Sequence, residues 1–104
     1  MIELNDNNFV KTISESGKTL IEVYAPFCNP CKNMKNNILP KFADSGVTIT
    51  ILDGTTNNEA IQKITEDSGQ EIMSVPVLLL YENGKFVARY DGFMNEEKLK
   101  NFIG

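Results

Sequence analysis

Two apolar runs, Val77 to Tyr81 and Phe86 to Tyr90, flank the dipeptide Asn83-Gly84. Asn and Gly tolerate the left-handed backbone that a type I′ turn needs, so this arrangement is the strongest short-range signal for a β-hairpin. The chain's last two strands are therefore expected to pair antiparallel. Ahead of the hairpin, short apolar runs alternate with helical patterns, and strands separated by helices cross over to lie parallel. Both requirements are met by a mixed central sheet with helices on its two faces.

The remaining elements follow from periodicity. Ile2 to Leu4 reads as a brief strand, with Asn5 or Asp6 capping a helix that carries Phe9 and Ile13 on one face and stops at Gly17. Thr19 to Ala25 is nearly all apolar or β-branched with one charge, Glu22, which suits a central strand covered on both sides. Met34, Ile38 and Phe42 form a helical stripe ending near Gly46, and Pro40 inside it removes a backbone donor and predicts a kink. Val47 to Ile51 alternates with threonines as a strand. Thr56-Asn57-Asn58-Glu59 has the form of a capping box, opening a helix with Ile61 and Ile64 on its face and Gly69 as its stop. Asn95 begins the last helix, with Leu99, Phe102 and Ile103 facing inward. The order is β-α-β-α-β-α-β-β-α, an α/β chain whose chemistry is expected at the sheet end where strands meet helices.

Composition narrows what that chemistry can be. At 104 residues, 41% hydrophobic and 23% charged, the chain has the balance of one folded domain, expected over residues 1–104. It contains no histidine, which removes imidazole-dependent hydrolases and histidine-based zinc sites, and two cysteines cannot close a four-ligand metal site alone. No metal is expected. A net charge of −4 gives no footprint for nucleic acid or an anionic membrane, so proteins or small molecules are the expected partners. The opening Met1-Ile2-Glu3-Leu4-Asn5 has no basic region or apolar stretch of a secretory signal, and a cytoplasmic monomer is expected.

Both cysteines lie in Cys28-Asn29-Pro30-Cys31, where the central strand meets the kinked helix. Three residues apart in a first helical turn, their Cβ atoms approach to about 5–6 Å, and Pro30 fits the opening of a helix. As a structural staple the bond would gain only about 2 kcal/mol from so short a loop, and a reducing compartment would keep it open. Half a metal site shared between two chains is the other bland alternative; reversible redox chemistry is the stronger reading. Cys28, at the helix N-terminus, is favoured as thiolate and is expected to attack a target disulfide, with Lys32 adding a little. Cys31, one turn in, is expected to resolve the mixed disulfide.

The segment Tyr24-Ala25-Pro26-Phe27-Cys28-Asn29-Pro30-Cys31-Lys32 resembles the active site of the thioredoxin family, a C-x-x-C motif near a βαβ pattern. The resemblance continues through Ser74-Val75-Pro76, the leucine-rich strand with Asn83-Gly84, and Gly92 before the final helix. It implies the thioredoxin fold and a thiol–disulfide oxidoreductase that reduces protein disulfides. Its only prosthetic element would be the redox-active Cys28–Cys31 disulfide, with electrons supplied from NADPH through thioredoxin reductase. It further implies a cis peptide at Val75-Pro76, for which sequence alone gives only about 5%. An apolar docking rim of Phe27, Pro30, Val75, Gly92 and Phe93 would surround the pair. Glu22 stands where the family has a buried acid, so its proton affinity is expected to rise and it is expected to exchange a proton with Cys31. The plain alternative for Glu22 is a carboxylate reaching solvent at the sheet end.

Four departures qualify the resemblance. Tyr24 and Phe27 replace the usual tryptophans, and Asn29 replaces the glycine between the cysteines, a position that tunes redox potential. Asn36 stands where a helix-kinking proline is usual, leaving that work to Pro40, and the stretch from Asp53 to Pro76 is longer, extending the third helix or its return loop. Two other functions remain in view: a glutaredoxin-like carrier recharged by glutathione, and a scaffold subunit that borrows the fold.

Overall fold

The computed structural model describes residues 1–104. Its elements are β1 (Ile2–Leu4), α1 (Phe9–Glu15), β2 (Lys18–Tyr24), α2 (Asn29–Asn33), β3 (Thr48–Asp53), α3 (Asn58–Ser68), β4 (Val77–Glu82), β5 (Lys85–Asp91) and α4 (Glu96–Ile103). The five strands form one sheet in the order β1-β3-β2-β4-β5, with β1, β3 and β2 parallel and β4 and β5 antiparallel. This is the expected mixed sheet. Asn83 (φ 53°) and Gly84 (φ 82°) both adopt the left-handed backbone that the hairpin needed.

Alternation along β2 divides the core. Ile21 and Val23 point to one face, where Leu4, Phe9, Ile13 and Ile64 cover them; Leu20 points to the other, under Met34, Phe42, Leu99 and Ile103. Glu22 shares that second face, opposite Leu78 on β4 and Ile51 on β3. Polar residues of the central strands are also enclosed: Thr50 is fully buried, and its hydroxyl donates to the Leu20 carbonyl at 2.8 Å, which satisfies the group.

The kinked helix differs in detail from expectation. α2 passes into a π turn over Met34–Ile38, where the Leu39 N–H donates to the Met34 carbonyl, and then into a 3₁₀ turn over Leu39–Phe42. Pro40 cannot donate, and its ring would strike the carbonyl four residues back; widening the preceding turn relieves that clash. The kink therefore begins a full turn before the proline.

Helix starts show a second difference. The N-cap of α1 is Asn8, without a side-chain cap, rather than Asn5 or Asp6; Asn5 Oδ1 instead accepts from the N–H groups of Asn7 and Asn8 and organises the turn that leads into the helix. The capping box at α3 does not form. Asn57 occupies the N-cap without capping through its side chain, and the amide of Ala60 is instead taken by Asp6 Oδ1 at 2.8 Å, from a loop 54 residues earlier. Asn57 returns the contact, its Oδ1 accepting from the Asp6 N–H at 3.1 Å. Asp6→Ala is therefore expected to lower stability by about 1 kcal/mol, read as a lower urea midpoint, while Thr56→Ala moves it by no more than a few tenths of that. At α4 the expected cap is present, Asn95 Oδ1 accepting from Lys98 N–H at 2.9 Å. No helix is long and apolar enough to cross a membrane.

Candidate active site

Where β2 ends, the chain turns through Ala25-Pro26-Phe27 and enters α2 with Cys28 as its N-cap. The Cys28 N–H donates to the Ala25 carbonyl at 3.0 Å, fixing the turn. Cys28 Sγ accepts from the Cys31 N–H at 3.2 Å, so one sulfur sits on an otherwise unpaired amide of the first helical turn. The cysteines are joined as a disulfide, with Cα atoms 5.3 Å apart. Both are buried, Cys28 at 7% exposure and Cys31 at 2%, packed on Ala25 with Tyr24 and Val75 alongside. Asn29, Pro30 and Lys32 lie on the exposed side of the same turn.

Glu22 lies beneath this turn. It is 1% exposed, and neither carboxylate oxygen has a hydrogen-bond partner. The alternative of a carboxylate reaching solvent is thus overturned: the sheet end is closed over it by α2. Loss of hydration pushes its pKa up to about 8, against the opposing pull of the Lys35 ammonium. A cavity of about 100 Å³ lies between Glu22, Cys31, Lys32 and Lys35, with Tyr24, Ala25 and Pro26 completing its wall. Lys35 went unnoticed in the sequence, because it reads as one more exposed lysine on a helix.

The Val75-Pro76 peptide is cis. Pro76 is buried and its carbonyl accepts from the Gly92 N–H at 2.8 Å, which ties the loop before β4 to the loop after β5. Gly92 has φ +124°, a conformation that a side chain would resist. The expected rim residues line two depressions. Phe27, 80% exposed, and Val75 line an apolar groove of about 440 Å³, together with Tyr24, Ile61, Ile72 and Met73. Pro30 and Phe93 border a separate shallow depression beside Asn29 and Asn33. Met73 is 82% exposed and was missed, since a lone methionine between Ile72 and Ser74 gives no periodic signal.

Comparison with known proteins agrees with this geometry. The thioredoxin family model matches residues 1–104. A thioredoxin of Staphylococcus saprophyticus is 31% identical over 106 aligned positions, covering 99% of this chain and 94% of that protein. A thioredoxin of Chlamydia pneumoniae is 34% identical over 100 positions, covering 96% and 92%. Among solved structures, a mutant thioredoxin from Halobacterium salinarum superposes with a TM-score of 0.81 at 21% identity, over 98% of this chain and 86% of that one, a likeness of fold. A cystine at a helix N-cap, facing a cis-proline loop and matched along the whole chain by these relatives, leaves one assignment: the chain belongs to the thioredoxin family and is a thiol–disulfide oxidoreductase that reduces protein disulfides.

Proposed function

We propose that residues 1–104 act as a single-domain, monomeric electron carrier of the cytoplasm in which Cys28 attacks and Cys31 resolves. The observation that supports these roles most directly is the Cys31 amide donating to Cys28 Sγ at the N-cap. In the reduced protein, a donor in that position and the positive end of the helix favour Cys28 as thiolate. That thiolate attacks one sulfur of a substrate disulfide and expels the other as a thiolate. Cys31 then gives its proton to Glu22 across the small cavity and attacks Cys28 Sγ. The second substrate thiolate leaves, and the dithiol has passed two electrons to become the Cys28–Cys31 disulfide. Asn29, Pro30 and Lys32 tune the potential of that disulfide.

The substrate segment that flanks the target disulfide lies in the groove between Phe27 and Met73. The backbone of Val75 takes no hydrogen bond within the chain, which leaves its N–H and C=O able to pair with an extended peptide. Phe93 and Pro30 extend the contact on the other side of the cystine. Electrons return from NADPH through a flavin-dependent thioredoxin reductase.

Insulin reduction tests the assignment, run once with NADPH and thioredoxin reductase and once with NADPH, glutathione and glutathione reductase. Turnover is expected in the first system. Turnover confined to the second identifies a glutaredoxin-like carrier instead, and inactivity in both, even with dithiothreitol, identifies a scaffold.

A further inference from the structure

Between α3 and β4 the chain runs from Gln70 to Ser74 without one backbone–backbone hydrogen bond. Segments lacking such bonds are ordinarily among the easiest parts of a protein to open. This one nevertheless forms a wall of the groove through Ile72, Met73 and Ser74 and leads directly into Val75-Pro76.

A single side chain from β5 clasps it. Arg89 Nη1 donates to the Gln70 carbonyl at 2.6 Å and to Ser68 Oγ at 3.0 Å, and Nη2 donates to the Glu71 carbonyl at 2.8 Å. Nε and Nη2 also donate to the two oxygens of Asp91, at 2.7 and 3.0 Å. A guanidinium has five N–H groups, and here all five are used. The Arg89 side chain is 6% exposed, packed beneath the partners it holds at the surface. Apart from Arg89, the segment is held by the packing of Ile72 on the core and a longer contact, 3.3 Å, between Ser68 Oγ and the Gln70 carbonyl.

We propose that Arg89 is a positioning residue for protein substrates: by clamping the Gln70 and Glu71 carbonyls it sets Met73 and the open backbone of Val75 at the spacing a substrate segment needs. This rests on the reading of the groove as the docking site. Arg89 touches neither sulfur. A small disulfide, which meets only Cys28, is therefore indifferent to the clasp, while a protein disulfide depends on it. Lysine does not substitute, because an ammonium has three donors and no planar fork to span two carbonyls and a carboxylate.

The test compares pre-reduced wild type with Arg89→Met, Arg89→Lys and Phe27→Ala, measuring second-order rate constants with insulin and with the small disulfide DTNB. Both Arg89 variants are expected to lose about tenfold with insulin, as loss of charged hydrogen bonds allows, and less than about twofold with DTNB. Equal losses on the two disulfides, or full rescue by Arg89→Lys, overturn the positioning role. If Arg89→Met does not fold, the comparison stands on Arg89→Lys, whose loss on insulin alone supports the clasp. An unchanged insulin rate in Phe27→Ala overturns the groove reading and the clasp with it. Loss in Phe27→Ala without loss in either Arg89 variant overturns the clasp alone.

Discussion

Cys28→Ser is expected to abolish disulfide reduction, a fall of at least about a thousandfold, because the variant has no thiolate at the N-cap and a hydroxyl does not replace it at neutral pH. Cys31→Ser is expected to lose sustained turnover as completely but to behave differently in a single encounter. Cys28 still attacks, expels one substrate thiolate and then stays joined to the other half, because no resolving thiol follows. Mixing each variant with DTNB and weighing the product by mass spectrometry distinguishes them. A thionitrobenzoate adduct should accumulate on Cys31→Ser and not on Cys28→Ser. The difference in burial points the same way, since Cys31 at 2% exposure lies deeper than Cys28 at 7%. An adduct that accumulates on Cys28→Ser instead exchanges the two roles.

The pieces of this site that were legible in the sequence are those whose chemistry is local. Cys28 and Cys31 are a helical turn apart, Asn83-Gly84 needs only its own backbone preferences, and Glu22 stood out as the one charge in a strand too apolar to face water. Asn95 likewise caps the helix it precedes. What remained hidden depends on which loops the topology brings together. Asp6 looked like a cap for the helix beside it and serves α3 instead, since parallel pairing of β1 with β3 sets their following loops side by side. Arg89 carried no signal in the sequence; on the outermost strand it reaches 18 to 21 residues back along the chain to hold the loop that leads into Val75-Pro76. Lys35 shows the same limit: helical periodicity puts it on an exposed face, and only the kinked course of α2 over β2 brings it to the mouth of the cavity above Glu22.

Glu22→Gln is expected to stabilise the oxidised protein strongly in alkaline solution while slowing its chemistry. Burial raises the carboxyl from 4.5 in an unfolded chain to about 8 in the fold. Below pH 4.5 both states hold the proton and the residue contributes no pH dependence. Between 4.5 and 8 the folded state keeps a proton that the unfolded state has released, so stability falls as pH rises; above 8 both have released it and the loss is complete. At about 1.4 kcal/mol for each pH unit across that window, the full loss is about 5 kcal/mol. The substituted amide does not titrate, so the variant should match wild type near pH 4 and exceed it by several kcal/mol near pH 9 in urea unfolding. Parallel stability curves for the two proteins would show that the carboxyl has an ordinary affinity. In the proposed mechanism the same raised affinity serves the chemistry, because a base whose pKa lies near that of a thiol takes and returns its proton with little loss of driving force. Glu22→Gln should therefore reduce insulin at a rate lower by about tenfold or more and flatten the pH profile around 8. A more stable protein with an unchanged profile would leave the buried carboxyl a burden on the fold and assign the proton of Cys31 to water in the cavity.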